Sequence, residues 1–236
     1  MNVIVDGNNV FSIAYYASTK DVNPDYLEME NQEFIADVCK TFTTIIDSYI
    51  NEVFAGYTLY IAWDSKNGSA WRKEILPEYK ENRQPKKINF GLALEICRNM
   101  KQYKNVYCDN AEGDDVIFAM CSILEDSTII STDKDFIQLL NSGLCKALYN
   151  PIKKVYVDKM DVDPVLYKCM VGDSSDNLKG IPKIGDVKAR KLIQNNLEGL
   201  TEEQLQIIEK HKQVIDLSRN PYIMENIQTV RSQLGG

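Results

Sequence analysis

The chain has 236 residues, and its 27 basic and 34 acidic side chains give a formal net charge of −7 with one histidine. This length suits one large domain, or one domain with a smaller appendage, and no apolar run or amino-terminal signal favours membrane insertion or export. Taken alone, the acidic charge disfavours a nucleic-acid-binding protein and favours a small-molecule enzyme or a protein-binding module.

Short runs of β-branched and aromatic residues alternate with longer amphipathic stretches. Buried strands are predicted at 3–5, 59–63, 106–108 and 128–130, and helices at 33–53, 90–103 and 113–125. A further strand pair is predicted within 144–157, followed by helices at 161–171, 186–196 and 201–217. Strands that alternate with helices predict an α/β fold, with a mainly parallel central sheet and helices on both faces.

The segment 64–91 fits neither the helical nor the strand period. It contains Pro77 and Pro85 and is rich in basic residues. We expect it to leave the sheet and to contribute little to the core, as long functional loops often do.

Cysteine and histidine chemistry is not favoured. The six cysteines never form a closely spaced pair, which predicts buried free thiols in a reducing cytoplasm. His211 lies between Lys210 and Lys212, which is typical of a solvated helix face. Because a catalytic histidine is therefore not expected, any catalysis must depend on carboxylates, lysines or a bound metal ion.

Acidic residues follow four of the predicted strands. The carboxyl ends of parallel strands meet at one edge of a sheet, so we expect these side chains to converge there. An isolated acid at such a position is more often a turn or helix cap than a ligand, but four strand ends are hard to explain by capping alone. The acids are Asp6, Asp64, Glu112, Asp114, Asp115, Asp133 and Asp135.

Such crowding predicts a metal site. Two like charges about 4 Å apart repel by roughly 4 kcal/mol at an effective dielectric constant near 20. Oxygen ligands without histidine or cysteine suit Mg²⁺ or Mn²⁺. Pairs of such ions are typical of nucleases and phosphatases.

A glycine-rich turn joins two predicted helices at 172–191. Gly180, Pro182 and Gly185 indicate a tight connection, and Asp186-Val187 replaces the Lys-Ser/Thr pair that a Walker loop requires. Gly185 opens a helix whose backbone N–H groups could hold a phosphate. The segment 179–191 carries five basic residues and one acid.

Six sequence blocks together resemble the 5′-nuclease family, which includes flap endonucleases, bacteriophage 5′–3′ exonucleases and the amino-terminal nuclease domain of bacterial DNA polymerase I. They occur in the family's order within residues 3–195. The blocks are Val5-Asp6-Gly7-Asn8-Asn9, Trp63-Asp64, Leu76-Pro77-Glu78-Tyr79-Lys80-Glu81-Asn82-Arg83, Ala111-Glu112-Gly113-Asp114-Asp115, Ser131-Thr132-Asp133-Lys134-Asp135 and Gly172-Asp173-Ser174-Ser175-Asp176-Asn177.

The resemblance implies two metal groups that hold two Mg²⁺ ions, with Mn²⁺ as a substitute. It assigns catalytic roles to Asp6, Asp133, Lys80 and Arg83. The first group would comprise Asp6, Asp64, Glu112, Asp114 and Asp115. The second would comprise Asp133, Asp135, Asp173 and Asp176.

The resemblance also implies how DNA is held. A nuclease core at 1–160 would carry a helical arch or gateway at about 64–104, where Lys80 and Arg83 share a helix face and Tyr79 stacks on an unpaired base. A helical region at 161–236, integrated with the core, would contain a DNA-binding helix–three-turn–helix with a bound K⁺. Its DNA-binding residues would be Lys179, Gly180, Lys183, Gly185, Lys188, Arg190 and Lys191.

Two departures from the family pattern are visible. Lys183 stands where the family commonly has glycine, and a positive φ there would cost about 1 kcal/mol. Only 28 residues separate Arg83 from Glu112, which favours an open clamp over a closed arch.

The predicted function is a metal-dependent 5′–3′ exonuclease and 5′-flap endonuclease, monomeric and located in the cytoplasm of a bacterial or phage-infected cell. Its expected substrates are DNA 5′ ends, flaps and single-strand/double-strand junctions, with RNA primers as an additional candidate. The alternatives are a PIN-type ribonuclease and a non-catalytic DNA-binding clamp. The net charge does not oppose this function, because the segment 72–104 has nine basic and four acidic residues.

Overall fold

A computed structural model of the chain describes residues 1–20, 22 and 30–235. Its central feature is a six-stranded sheet in the order β3-β2-β1-β4-β5-β6. The first five strands run parallel to their neighbours and β6 is antiparallel, which confirms the predicted mainly parallel sheet. The strands are β1 (Asn2–Asp6), β2 (Thr58–Trp63), β3 (Lys104–Tyr107), β4 (Ser127–Ile130), β5 (Ala147–Asn150) and β6 (Val155–Tyr156).

Helices cover both faces of this sheet because buried side chains alternate along its strands. Val3 and Val5 point into one core, and Ile4 points into the other. The first core contains α1 (Gly7–Ser18), α2 (Gln32–Ser48) and α4 (Ile88–Arg98). The second contains α5 (Gly113–Cys121), α6 (Ile137–Ser142) and α10 (Ile223–Gln233).

A third core lies beyond the sheet. Its helices are α7 (Pro164–Val171), α8 (Asp186–Gln194) and α9 (Glu202–Ile215). Leu76 and Tyr79, which follow the short helix α3 (Ala70–Ile75), pack into the same core. The expectation that 64–91 contributes little to the core is therefore wrong, because its apolar side chains join the sheet domain to the helical region.

The helices match the predicted pattern better in the middle of the chain than at its ends. The predicted helix at 33–53 is α2 followed by a π-helical turn at Tyr49–Val53, and the predicted strand pair is β5 and β6. Helices α1, α3, α6 and α10 were not predicted. The start of α1, Gly7-Asn8-Asn9, has low helix propensity, and Asp6 compensates by accepting a hydrogen bond from the Asn9 backbone N–H at 3.0 Å. Among the described residues, no helix is both long and apolar enough to cross a membrane.

The prediction of buried free thiols is confirmed, and the prediction of a solvated histidine is wrong. All six cysteines are buried free thiols. His211 is also buried, and its Nδ1 lies 3.2 Å from the carbonyl oxygen of Cys169. The side chain therefore packs between α9 and α7 instead of facing solvent.

The connection between α7 and α8 is a compact double turn. It contains a two-stranded antiparallel ribbon, β7 (Gly172–Asp173) and β8 (Leu178–Lys179). Gly172 has φ +83°, and Lys183 has φ +64°, so the positive φ expected at Lys183 is present. A Cβ on Gly180 would lie 2.2 Å from the carbonyl oxygen of Val171. Gly180 is therefore required by close backbone packing, whatever its role toward DNA.

We predict that Gly180→Ala lowers the free energy of unfolding by about 1–3 kcal/mol, because backbone must shift to admit the methyl group. Gly185→Ala is the matched control. Gly185 has φ −103° and no heavy atom within 4 Å of an added Cβ, so this substitution should lower the free energy of unfolding by about 0.5 kcal/mol or less. Urea unfolding of both variants measures the difference, and equal stabilities would contradict the packing assignment.

Candidate metal centre

Asparagines in the first turn of α1 tie three strand ends together. Asn8 donates from Nδ2 to the carboxylate of Asp64 at 2.9 Å, and the Asp64 backbone N–H donates back to Asn8 Oδ1 at 3.0 Å. Asn9 makes the equivalent pair of hydrogen bonds with Thr132, at 2.7 and 3.1 Å. The carboxyl ends of β1, β2 and β4 are therefore fixed relative to one another.

Most of the predicted first metal group lines one cavity. The cavity has a volume of about 210 Å³ and opens beside α1. Lys80, Arg83 and Lys86 line the same cavity from the segment after α3. Its acidic residues are Asp6, Asp64, Glu112, Asp114 and Asp133.

The protonation of these acids follows from burial and crowding. Burial raises the pKa of Asp6 to about 7, with Asp133 and Asp64 adding repulsion. Burial also raises the pKa of Asp114 well above its usual value, and repulsion from Asp133 adds to this. Among the described residues, the Asp114 carboxylate forms no ion pair. A cation in this cavity would restore the ionised state of these groups.

The negative charge of Glu112 is compensated by basic groups of the protein itself. Burial acts to raise its pKa, but Lys80 and Arg72 outweigh burial and the pKa is lowered. Lys80 Nζ lies 2.7 Å from Glu112 Oε1, and the Tyr79 hydroxyl donates to Glu112 Oε2 at 3.0 Å. Glu112 is thus ionised and held in place at the start of α5.

The predicted second group surrounds a lysine that the sequence did not indicate. Lys168 on α7 places Nζ 2.7 Å from Asp135, 3.0 Å from Asp173 and 2.8 Å from Asp176. Burial, followed by repulsion from Asp133, raises the pKa of Asp135 to about 7. Burial acts to raise the pKa of Asp173, but the hydrogen bond from Ser175 and the charge of Lys168 lower it to about 2.

Three carboxylates connect the two groups. Asp114, Asp133 and Asp135 each offer an oxygen, and these three oxygens all lie within 4.8 Å of one another. Such a set fits a hard divalent cation, because carboxylate oxygens are the ligands that Mg²⁺ and Mn²⁺ prefer. Asp114, which is half-buried and forms no ion pair among the described residues, is the member of the set that most requires such a cation.

Asp115 is not available as a metal ligand, contrary to the prediction. It is fully buried, and Arg72 donates to both of its oxygens at 2.7 and 2.8 Å. It also accepts a hydrogen bond from the Glu112 backbone N–H at 3.0 Å. Asp114 and Asp115 are neighbours on a helix and point in different directions, so one reaches the cavity and the other the ion pair.

The residues predicted to contact DNA from the arch occupy turns, not one helix face. Lys80 has φ +56°, and its backbone N–H donates to the Asp176 carbonyl oxygen at 3.0 Å. Arg83 lies 3.3 Å from Asp176 with an exposed side chain. Tyr79 is 4 % exposed, so its ring has no free face on which an unpaired base could stack. That part of the prediction is wrong, because Tyr79 packs into the third core.

The basic residues predicted near the double turn remain mostly at the surface. Arg190 is the exception, since its guanidinium pairs with Asp161 and with Asp186, the latter at 2.9 Å. The exposed members are Lys179, Lys183, Lys188 and Lys191.

Sequence reasoning missed Lys168, Arg72 and the two asparagines. Asn8 and Asn9 lie in a block that was recognised, and their place directly after Asp6 was the available signal. Arg72 is 43 residues from Asp115 and Lys168 is 33 residues from Asp135, and no local pattern distinguishes either from a solvated basic residue.

The contrast between Asp114 and Asp115 gives a direct test. Asp114→Asn removes a carboxylate that has no ion-pair partner among the described residues, so the metal-free protein should be at least as stable as the unaltered one, while Mg²⁺ no longer raises the melting temperature. Asp115→Asn removes the bidentate ion pair of the buried Arg72, which keeps only its ion pair with Glu112 at 3.2 Å, and should cost about 3–5 kcal/mol. Thermal unfolding with EDTA and with Mg²⁺ measures both. Loss of the Mg²⁺ effect in Asp115→Asn without loss of stability would contradict this assignment.

Known proteins share both the sequence pattern and the fold. A 5'-3' exonuclease of Mycoplasmopsis pulmonis is 30% identical over 207 residues, which are 82% of this chain and 66% of that protein. A DNA polymerase I of Caldicellulosiruptor bescii is 29% identical over 212 residues, which are 81% of this chain and 24% of that protein. A flap endonuclease Xni of Shewanella woodyi is 28% identical over 193 residues, 72% and 74% of the respective chains. The chain thus spans about two thirds of the first relative and about a quarter of the second.

A solved structure of T5 5'-exonuclease with bound divalent metal ions (zinc) has the same fold. It has a TM-score of 0.66 and 17% sequence identity, and the match covers 99% of this chain and 98% of that one. Residues 1–168 match the family model of the 5'-3' exonuclease, N-terminal resolvase-like domain. With its acids gathered at one sheet edge, the chain belongs to the 5′–3′ exonuclease family.

Proposed function

We propose that this protein is a divalent-metal-dependent 5′ nuclease that hydrolyses DNA phosphodiester bonds at 5′ ends and 5′ flaps. The observation that carries the proposal is the cluster of carboxylates at the carboxyl edge of the sheet, in which Asp114 is half-buried and, among the described residues, forms no ion pair beside Asp133 and Asp135. Membership of the family supports the reaction class. The metal we propose is Mg²⁺, with Mn²⁺ as a substitute.

The first ion would be held by Asp6, Asp64, Glu112 and Asp114, and the second by Asp135, Asp173 and Asp176, with Asp133 between them. Ions held in this way supply an activated water and stabilise the leaving 3′ oxygen. The protein fixes the ligands through hydrogen bonds, since Asp6 accepts from the Ser131 hydroxyl at 2.8 Å and Asp64 from the Gly113 N–H at 2.7 Å.

Basic residues of the segment 64–104 would receive the 5′ strand. A cavity of about 540 Å³ adjoins the metal centre on this side and is bounded by the carboxylates of Asp64 and Glu112. Lys80 and Arg83 lie between this cavity and the acids, so they can orient the scissile phosphate and offset its charge. The cations that line it are Lys66, Lys73, Lys80, Arg83, Lys86 and Arg98.

The duplex would lie against the turn between α7 and α8. Lys179, Lys183, Lys188 and Lys191 expose their charges there, and the start of α8 at Gly185 offers backbone N–H groups to a phosphate. We retain the helix–three-turn–helix interpretation and its K⁺ for this region. Two separate basic surfaces would serve a substrate with both a single-stranded and a double-stranded arm.

The remaining features of the proposal concern substrate and cellular setting. We also propose RNA primers paired to DNA as an additional substrate class. A PIN-type ribonuclease is disfavoured by the second basic surface, and a non-catalytic clamp by the nearly complete carboxylate set.

The buried free thiols support a reducing bacterial or phage-infected cytoplasm, and we propose a monomer.

The test is cleavage of a labelled 5′-flap DNA in Mg²⁺, compared with EDTA and with single-stranded RNA of the same sequence. We expect Mg²⁺-dependent cleavage of the flap, and Asp133→Ala should reduce it by at least roughly 100-fold while DNA binding is retained. Asp109→Ala is the matched control, because Asp109 is an exposed acid after β3 that lines neither metal group. Cleavage in EDTA, or preference for the RNA, would contradict the proposal. A flap whose 5′ end is blocked reports whether that end must be free.

A further inference from the structure

The second carboxylate group already contains a cation that belongs to the protein. The ammonium of Lys168 contacts both oxygens of Asp135 at 2.7 Å and one oxygen of Asp176 at 2.8 Å. Asp173 lies 3.0 Å away on a third element of the chain. The Lys168 side chain is only 12% exposed, so it is enclosed by its three partners and is not one end of a surface ion pair.

An ammonium and a divalent ion cannot use these oxygens together. The distances are those of charge-assisted hydrogen bonds, whereas Mg²⁺ binds its ligand oxygens at about 2.0–2.1 Å. A second ion placed among the same three carboxylates would lie next to the lysine charge and be repelled by it. The lysine must therefore leave this position before the group can hold a divalent ion.

The first group is in a different electrostatic state. Its lysine, Lys80, pairs with Glu112, and among the described residues Asp6, Asp64 and Asp114 form no ion pair. These three acids, of which Asp6 is buried and the other two half-buried, lack an ion-pair partner in the described part of the chain, while the three acids of the second group share one. The two groups should consequently differ in their affinity for the same ion.

The structure also offers Lys168 a place to move. A cavity of about 320 Å³ adjoins the second group, and Lys168 lines it together with Tyr167 and Gly172. The lysine stem is long and flexible, so a change of rotamer can carry the ammonium out of the carboxylates without displacing α7. The phosphate of a bound nucleic acid is the anion that would receive it.

We propose that Lys168 is a built-in competitor for the second metal position, so that the DNA-free protein binds one divalent ion tightly and the second weakly. The second ion enters as Lys168 transfers to a substrate phosphate, and this couples assembly of the complete metal centre to the arrival of substrate. The proposal rests on the proposed function, because it requires that the carboxylates hold divalent ions.

The experiment is calorimetric titration of the DNA-free protein with Mg²⁺, with Mn²⁺ counted independently by electron paramagnetic resonance. The unaltered protein should bind one ion tightly, and Lys168→Met should raise the affinity for the second ion by on the order of tenfold or more. Lys134→Met is the matched control, since Lys134 is exposed beside Asp135 and forms no ion pair in the described part of the chain. The Lys134→Met variant should leave the affinity for the second ion as low as in the unaltered protein.

Each outcome separates this proposal from the proposed function. If the unaltered protein binds two ions with equal affinity, the competitor role is overturned and the nuclease assignment stays intact. This result needs no variant. The competitor role is likewise overturned if Lys168→Met leaves the affinity for the second ion as low as before. If neither protein binds any divalent ion, the metal-dependent function itself fails. A lower melting temperature of Lys168→Met in EDTA, restored by Mg²⁺, would support the exchange of one cation for another.

Discussion

Repulsion among carboxylates at the carboxyl edge of the parallel sheet is the constraint on which the other features of the site depend. Parallel strands bring Asp6, Asp64 and Asp133 to the same edge, and the start of α5 adds Glu112 and Asp114. The fold holds them there with asparagine hydrogen bonds and with the buried Arg72–Asp115 pair. Such an arrangement is stable only when protons or cations offset the negative charge.

The protein compensates this charge unevenly, and the unevenness accounts for its chemistry. Arg72 and Lys80 offset the charge of Glu112 and Asp115 at the start of α5, and Lys168 offsets part of the charge of the second group. The cavity between Asp6 and Asp114 keeps its excess negative charge, which is where a divalent ion gains most. Basic surfaces on either side then attract the phosphate backbone, so a chain of net negative charge can bind DNA.

The sequence predicts the sheet and the convergence of the acids because both follow from short-range patterns. A β-branched run followed directly by aspartate identifies a strand and its carboxyl end. Asp114 and Asp115 are indistinguishable in sequence, and only the helix direction and the distant Arg72 decide which one faces the cavity. The prediction that Tyr79 stacks on a base is wrong for a similar reason, since the burial of its ring depends on packing against α7 to α9. Lys168 illustrates the limit most clearly, because its three partners come from two separate parts of the chain.

The central claim is that buried carboxylates require a divalent ion, and thermal unfolding measured against pH with and without Mg²⁺ tests it most directly. Without metal, Asp6 and Asp135 have pKa values of about 7, against roughly 3.9 for an exposed aspartate. Between these values the folded protein holds protons that the unfolded chain has released, so raising the pH destabilises the metal-free protein. Divalent ions bind the deprotonated groups, and their stabilising effect must grow over the same range.

Burial lowers the pKa of His211, which acts in the opposite direction but contributes equally with and without the ion. The quantity to measure is therefore the rise in melting temperature when Mg²⁺ replaces EDTA, from pH 5 to pH 8. We predict a small rise at pH 5 that grows to roughly 5–10 °C at pH 8 when the ion is at about 100 times its Kd. A rise that is absent, or that is the same at every pH, would contradict the claim.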